Sequence, residues 1–194
     1  MTLSFKKPIL LLINFVSFSV LLAWPLVIWH GLAHWRLEWV LSLLVTAFLL
    51  RFLVLKTQLG VLAATGKRIA LFGLALCVFS GILREYHLLL YYPVVINALL
   101  FTVFYTSLSE PVSLVERLAR LREPALSVAG VKYTRRVTQI WCVFFIVNGS
   151  IAFLTCLHGD MTIWAAYNGM ISYVLMGTLM GTEWLVRQRI KKRE

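Results

Sequence analysis

A few ionisable side chains stand inside long apolar stretches of this chain, where they could do chemistry. A charged group in the hydrocarbon of a membrane costs at least ~2.5–3.5 kcal/mol by insertion scales, so each one is a candidate for function. Arg51 and Glu183 lie at similar depths near the ends of two such stretches, which would allow an ion pair between two helices. This pair could lock the helices together, or it could belong to a relay for protons or substrate.

Asparagines supply a second set of polar groups in these stretches. Asn97 and Asn148 lie nearest the middle of their stretches, and Asn168 stands in a third. Amide bonds between membrane helices are worth about 0.6–2 kcal/mol each, so structural pairing would account for them. The alternative is that Asn97 and Asn148 line a cavity. The three asparagines, with Arg51 and Glu183, are candidate binding or pathway residues.

Histidines form a third candidate group, because all of them map to one predicted side of the membrane: His30, His34, His87 and His158. His30 and His34 are four residues apart, a spacing that can present two imidazoles to one metal ion. The helix packing would have to bring the other two to them. Histidine is also common in short aromatic-rich loops, so our prediction is that the chain holds no metal and no other cofactor.

Enzyme signatures are missing from the sequence. It contains no H-E-x-x-H, no G-x-S-x-G, no glycine-rich phosphate loop and no cysteine with a nearby catalytic histidine. Glu183 is the sole acid deep in an apolar stretch and has no second carboxylate to work with. We therefore predict a protein that is not an enzyme.

The composition indicates which elements must position these residues. Of the 194 residues, 60 % are hydrophobic and 14 % are charged, against roughly 45–50 % and about 25 % in soluble proteins. This excludes an ordinary soluble domain. Six apolar segments are long enough to cross a bilayer as helices, at residues 8–30, 37–56, 67–84, 88–107, 134–157 and 161–187. The predicted fold is a single all-α membrane domain over residues 1–194 with six transmembrane helices.

The basic residues predict the orientation of these helices. With a cytoplasmic N-terminus, most of the 19 lysine and arginine residues fall on the cytoplasmic side, as the positive-inside rule requires. Both termini are then cytoplasmic, and the chain crosses the membrane several times. Because this topology explains the net charge of +11, we predict no nucleic-acid partner.

Residues 107–133 form the one sizeable stretch outside the predicted spans, and residues 109–123 within it form an amphipathic segment. Ser109 is expected to cap an amphipathic helix here, and Glu116 can pair with Arg120 one turn later. The candidate lipid-binding surface consists of the basic residues of this segment, Arg117, Arg120 and Arg122. Two interpretations are open: the helix lies on the inner leaflet with its basic side toward anionic headgroups, or it packs over the cytoplasmic mouth of the bundle.

Aromatic and proline residues mark the predicted outer boundary. Trp24, Trp164 and Tyr92 belong to a set of aromatic side chains expected at that depth. Pro25 and Pro93 interrupt two helices in the same outer half. Each proline frees a carbonyl and favours a kink, so the two could be tolerated kinks or could share a cavity.

Small residues repeat every fourth position in two segments. Gly177 and Gly181 form a G-x-x-x-G, and Gly73, Cys77 and Gly81 form a similar stripe. Both predict close contacts between helices, either within one chain or between two copies in a homodimer.

The second half of the chain resembles a known family. The stretches LVERLARLREP (114–124), YTRRVTQIWCVFFIVNGSIA (133–152) and YNGMISYVLMGTLMGTEWLVR (167–187), with YYPVVINALLF (91–101), are similar to uncharacterised bacterial inner-membrane proteins. Members are often encoded beside acyltransferases, ketoacyl synthases and exporters of aryl-polyene or related envelope-lipid clusters, and some carry the mistaken label of a DNA gyrase B subunit. A weaker likeness is to small proteins labelled intracellular septation factors. The resemblance implies an envelope-lipid setting and draws attention to Arg135 and Arg136, which would suit a phosphate or carboxylate headgroup at the inner interface.

The sequence thus predicts an inner-membrane accessory protein that handles or scaffolds a lipid-like molecule in envelope biosynthesis or export. Its expected partners are anionic headgroups of the bilayer and, from the resemblance, a membrane acyltransferase or an exporter component. Two alternatives stay open. One is a small secondary transporter that uses the pathway residues, and the other is an unrecognised membrane transferase acting on acyl or isoprenoid groups.

Overall fold

The computed structural model describes residues 19, 23–34, 37–56, 60–121 and 123–191, and these ranges are helical without any strand. The helices are α1 (Trp24–His34), α2 (Leu37–Lys56), α3 (Val61–Leu83), α4 (His87–Leu90), α5 (Tyr92–Leu108), α6 (Leu114–Arg120), α7 (Val128–His158), α8 (Met161–Ala166) and α9 (Ser172–Lys191). A π-helical turn, Tyr167–Ile171, joins α8 to α9. The prediction of an all-α fold is confirmed for the described residues.

Four helical segments are long and apolar enough to cross a membrane: Glu38–Lys56, Ala63–Leu83, His87–Leu108 and Val128–His158. They correspond to the second to fifth predicted spans, although α3 begins at Val61 rather than at residue 67 and α7 begins at Val128 rather than at residue 134. Of the first predicted span, 8–30, the part before Trp24 lies almost entirely outside the described residues. The last predicted span, 161–187, is helical from Met161 to Lys191 but is divided by the π-helical turn.

Two helical hairpins form the frame. In the first, α2 packs along α3, and in the second α5 packs along α7, with α3 in contact with α5 between them. Glycine permits the close approach in the first hairpin, because a β-carbon at Gly73 would lie 2.0 Å from Cζ of Phe48. The small-residue stripe of α3 therefore makes its close helix contact within one chain. In contrast, a β-carbon at Gly177 or Gly181 of α9 would meet nothing within 4 Å among the described residues.

The helix is interrupted between α4 and α5, next to Pro93. Proline has no N–H, so the carbonyl of Leu89, four residues earlier, loses its helical donor. The indole of Trp24 donates to that carbonyl at 3.2 Å, and the indole of Trp164 donates to the next one, Leu90, at 3.1 Å. Both tryptophans are buried at 1 % exposure, so they belong to the interior of the helix bundle, which the sequence did not indicate.

An aromatic core fills the space around this break. The ring of Tyr92 lies 4.2 Å from that of Trp24 and 5.3 Å from that of Phe48, measured between centroids. Helix α1 contacts α2, α8 and the π-helical turn. The core thus joins the first hairpin to the last part of the chain, while the opposite end of α9 is left more open.

The predicted amphipathic helix is shorter than expected. Helix α5 runs to Leu108 and Ser109 forms its C-cap, so the next helix cannot begin there, and α6 starts at Leu114 after Ser113. Leu114 and Glu116 are buried, and α6 packs on α5 and α7. The structure therefore favours the second interpretation, in which this helix covers one end of the bundle.

Candidate functional site

A lateral groove of 670 Å³ opens between α5, α6, α7 and α9. Leu100 and Phe104 of α5, Val137 and Trp141 of α7, and Met176 and Met180 of α9 line its length, and α6 closes one end with Val115 and Leu118. Its volume falls in the range of about 300–1,000 Å³ that is usual for small-molecule sites. We call this space the groove.

Helical periodicity places the lining residues on facing surfaces. On α9 the residues Met176, Met180, Glu183 and Arg187 all line the groove, and their spacing of four, three and four residues keeps them on one face. The same face carries apolar groups deep in the groove and charged groups at its mouth. The groove is therefore apolar along most of its length and charged at one end.

The apolar wall of the groove is rigid. Phe104 of α5 packs edge-to-face on Phe145 of α7 with ring centroids 5.1 Å apart, and Trp141 lies 5.5 Å from Phe145. Such pairs contribute about 0.5–1.5 kcal/mol beyond their buried area. The α5–α7 wall is therefore held in place by its own contacts and does not depend on a ligand.

The polar end of the groove is formed by Thr134, Glu183 and Arg187. The hydroxyl of Tyr133 on α7 donates to the backbone carbonyl of Glu183 at 3.1 Å, which ties the two helices together at this level. Thr134 is buried, while Glu183 and Arg187 are partly exposed. A carboxylate and a guanidinium are thus presented together beside an apolar space.

A second cavity of 330 Å³ lies on the other side of the α7–α9 contact. Val137, Trp141 and Glu183 line both this cavity and the groove. The smaller cavity adds Tyr133 and Arg136. Glu183 therefore stands between two apolar spaces, with Arg187 facing one and Arg136 facing the other.

The structure separates the two adjacent arginines that the family resemblance singled out. Arg135 donates to the carbonyl of Leu108 at 2.5 Å and so supports the C-terminal end of α5, where a cation is favoured by the helix dipole. Arg136 lines the smaller cavity beside Glu183. Arg136 is thus the one positioned for a ligand, and Arg135 has a structural bond.

The asparagines lie in a polar network between α5, α7 and the π-helical turn. Asn148 donates from Nδ2 to Oδ1 of Asn97 at 3.1 Å, and the hydroxyl of Tyr167 donates to Oδ1 of Asn148 at 2.9 Å. Asn168 donates to the hydroxyl oxygen of Thr155 and to the carbonyl of Trp164. The predicted pairing between helices is therefore present for Asn97 and Asn148.

These asparagines also line a small cavity of 70 Å³. Pro25 and Pro93 line it too, so the two prolines do share a cavity. Its size suits a few water molecules. Leu100 and Met176 line both this cavity and the groove, and thus stand between the polar network and the larger apolar space.

The anticipated ion pair between Arg51 and Glu183 does not form. Arg51 is close enough to Tyr92 to interact with it electrostatically, whereas Glu183 lies beside Tyr133 at the mouth of the groove. The ion pairs of the described residues join His87 to Glu85, Arg117 to Glu110 and Arg120 to Glu116. Similar positions within two apolar stretches do not specify which helices are neighbours.

The histidines do not assemble into a metal site. His30 and His34 stack on each other with ring centroids 4.2 Å apart, while His87 interacts with Glu85. Among the described residues, which include His158, no three histidine, cysteine, aspartate or glutamate side chains could hold a metal ion together. The i, i+4 spacing has here produced a stacked pair of rings.

The basic residues of the amphipathic segment are engaged with acids of the same segment. Arg120 forms two bonds to Oε1 of Glu116, at 2.9 and 2.7 Å, which confirms the predicted pair. Arg117 pairs with Glu110. Arg122, the third predicted surface residue, lies outside the described residues. The ion pairs explain why Arg117 and Arg120 do not present a uniformly basic face.

No family model, curated protein or solved structure matches the chain. The resemblance of its second half to envelope-lipid inner-membrane proteins therefore stays a prediction.

The sequence analysis identified Glu183 and Arg136 but missed Arg187, Met180 and Trp141. A signal for them exists in the sequence. Positions 176, 180, 183 and 187 of α9, and positions 134, 137, 141 and 145 of α7, each follow the spacing of one helical face. Each face has apolar residues at one end and polar residues at the other.

Proposed function

We propose that this protein binds a lipid-like molecule from within the bacterial inner membrane and handles or scaffolds it for envelope biosynthesis or export. The observation that carries the proposal is the groove of 670 Å³, which is apolar along α5, α7 and α9 and ends at Glu183 and Arg187. An apolar chain that moves out of water gains about 25 cal/mol for each Å² of its surface that is buried. A chain that enters the groove from the surrounding lipid gains little, because it was already in an apolar environment. Selection within the membrane must therefore come from the polar end.

The membrane placement is part of the same proposal. Four segments meet the length and hydropathy needed to cross, and between Met161 and Val186 Glu183 is the single ionisable Asp, Glu, Lys, Arg or His residue. With the first apolar segment this gives six crossings. Both termini are then cytoplasmic, because most of the lysines and arginines lie on that side. Periplasm-dependent reporters fused to each terminus should both stay silent.

In this topology the polar mouth of the groove lies near the cytoplasmic surface. The chain of the amphiphile lies between Leu100, Phe104 and Met180, and its head lies at the level of Glu183 and Arg187. Arg136 reaches the same level from the smaller cavity. Two guanidinium groups around one carboxylate favour a head that carries a phosphate or carboxylate.

A matched pair of substitutions tests the groove. Met180 lines it and Met170 does not, and the two methionines are similarly exposed, at 58 % and 62 %. Met180→Trp should fill the groove and reduce crosslinking of a photoactivatable acyl phosphate in nanodiscs, whereas Met170→Trp should leave it unchanged. Equal crosslinking of both variants and the wild type would exclude the groove as the binding site.

The cellular role needs a separate test. Deletion of the gene in a strain that makes aryl-polyene pigment should change the profile of pigment or membrane lipids, and a Met180→Trp copy should restore it less well than a Met170→Trp copy. An unchanged profile after deletion would reject the envelope-lipid role while leaving binding in the groove to be judged by crosslinking. Co-purification with an acyltransferase or exporter that is encoded by a neighbouring gene would identify the partner.

A further inference from the structure

A further cavity, with many polar residues in its lining, lies on the other side of α6 from the groove. It measures 180 Å³ and is bounded by the first turns of α3, the end of α5 and the start of α6. We call it the arginine crevice, defined by its polar lining: Thr65, Arg68, Thr106, Ser107, Glu110 and Arg117. Helix α6 separates the two spaces, since Leu114 and Arg117 line the crevice while Val115 and Leu118 line the groove.

The arginine crevice has an excess of positive charge. Arg68 takes part in none of the ion pairs between described residues, and Arg117 shares its charge with Glu110. A guanidinium has five N–H donors, and one carboxylate can engage at most two of them in a fork. Arg117 therefore keeps donors for a further acceptor, and Arg68 faces the same space from α3.

The hydroxyl groups of the crevice add selectivity. Thr65 donates to the carbonyl of Val61 at 2.8 Å, Thr106 to that of Thr102 at 2.8 Å, and Ser107 to that of Phe104 at 2.7 Å. Each hydroxyl hydrogen is used within its own helix, so the oxygens of Thr65 and Thr106 offer lone pairs to a ligand. The oxygen of Ser107 already accepts from the backbone N–H of Leu114 at 3.1 Å, which leaves it one lone pair. A suitable ligand must accept from the arginines and also donate to a hydroxyl.

We propose that the arginine crevice binds a terminal phosphate group, which is either inorganic phosphate or a phosphomonoester. In its singly protonated form such a group presents oxygens to Arg68 and Arg117 and a P–OH to a threonine or serine oxygen. Two sources share this chemistry, inorganic phosphate from the cytosol and the headgroup of phosphatidic acid in the membrane. The proposal is independent of the proposed function, because the crevice lies on the other side of α6 and takes no long chain.

Three substitutions should change phosphate binding in three different ways. In the full chain, reconstituted in phosphatidylcholine nanodiscs and titrated with inorganic phosphate, Arg68→Gln should weaken binding about ten-fold or more, since hydrogen bonds to charged groups are strong. Glu110→Gln should tighten binding about two- to five-fold, because it releases Arg117 from a competing carboxylate. Arg189→Gln, a change of equal charge at an exposed residue of α9, should have no effect. Sulfate, which has no hydrogen to donate at neutral pH, should bind less tightly than phosphate.

Nanodiscs that contain phosphatidic acid distinguish the two sources. Binding of inorganic phosphate that phosphatidic acid does not block supports a soluble ligand, and retention of phosphatidic acid by wild type but not by Arg68→Gln, measured by mass spectrometry, supports the headgroup. Circular dichroism of each variant checks that it is folded. The proposal is overturned if wild type, Arg68→Gln and Arg189→Gln bind both probes equally, or if Glu110→Gln weakens binding.

Discussion

Asn148 donates a hydrogen bond to the side-chain oxygen of Asn97 across 3.1 Å, and this bond joins α7 to α5 at the middle of both helices. Both amides are more than nine-tenths buried. Asn97 also donates to the carbonyl of Pro93 at 2.8 Å, and Asn148 accepts from Tyr167. The pair therefore links the broken start of α5, the centre of α7 and the π-helical turn.

Removing both partners of this pair should lower the free energy of unfolding by less than the two single changes added together. Asn97→Leu or Asn148→Leu alone leaves a buried amide with an unmet bond, which we expect to lower the free energy of unfolding by about 1–3 kcal/mol. The double variant should lose less than the sum, with a coupling of about 0.6–2 kcal/mol. Equilibrium unfolding in mixed detergent micelles measures all four corners of the cycle. Additive losses would mean that the bond contributes nothing.

Gly149 permits this approach of α5 and α7. A β-carbon there would lie 2.9 Å from Cβ of Asn97, whose backbone would have to move. Gly149→Ala should therefore destabilise the protein by about 1–3 kcal/mol. Gly177→Ala is the matched control, because a β-carbon there meets nothing within 4 Å, and alanine in a helix should add about 0.5–1 kcal/mol. Thermal unfolding of the two variants should shift in opposite directions, and a common direction would contradict the packing.

The bond from Trp24 to Leu89 should matter only because Pro93 removes the helical donor. Trp24→Phe leaves the Leu89 carbonyl without its indole partner, at a cost of about 1–3 kcal/mol. In a Pro93→Ala background the backbone N–H of residue 93 becomes available, so the same substitution should cost less. Unfolding measured for the four proteins gives the coupling. An equal cost of Trp24→Phe in both backgrounds would show that ring packing alone accounts for it.

Arg135 and Arg136 should have different effects although they are adjacent. Arg136→Gln removes a cation from the smaller cavity beside Glu183, so capture of an anionic amphiphile should weaken about ten-fold while stability stays within about 0.5 kcal/mol. Arg135→Gln loses the bond to the carbonyl of Leu108 and should lower stability with little change in capture. Crosslinking and thermal unfolding, done on both variants, separate the two roles. A loss of capture in Arg135→Gln alone would reverse the assignment.

Hydropathy was enough to predict the helices, because the requirement that apolar segments avoid water acts on each segment alone. It predicted α2 with its observed ends and the presence of the other long helices. It could not predict which helices are neighbours. Arg51 interacts with Tyr92 at the start of α5, and Glu183 interacts with Tyr133 near the start of α7. These partners depend on packing across the bundle.

The burial of two tryptophans could not be predicted for a related reason. A tryptophan near the end of an apolar segment is usually placed at the membrane interface. Trp24 and Trp164 are instead buried and donate to the carbonyls of Leu89 and Leu90, of which Pro93 frees that of Leu89. That demand arises on a different helix from the indoles and is not visible in the local sequence. The groove was missed likewise, since it is a space between helices rather than a property of one.

Asp160 provides a pH-dependent cap for α8. Its Oδ1 accepts from the backbone N–H of Thr162 at 2.7 Å and of Ile163 at 3.1 Å. The bond from Ile163, followed by that from Thr162, lowers the pKa of this carboxyl below its ordinary value of 3.8. Because the pKa is lower in the folded than in the unfolded state, the cap stabilises the protein above that ordinary value and the contribution is lost as the pH falls through the lowered pKa.

Asp160→Ala should accordingly lower the melting temperature at neutral pH, and its difference from wild type should shrink below pH 3.8. Asp160→Asn keeps a capping oxygen that does not titrate, so its stability relative to Asp160→Ala should not change with pH. Thermal unfolding of the three proteins across this range provides the measurement. If Asp160→Ala differs from wild type by the same amount at neutral pH and in acid, the carboxylate does not act as the cap, and another feature must fix the start of α8.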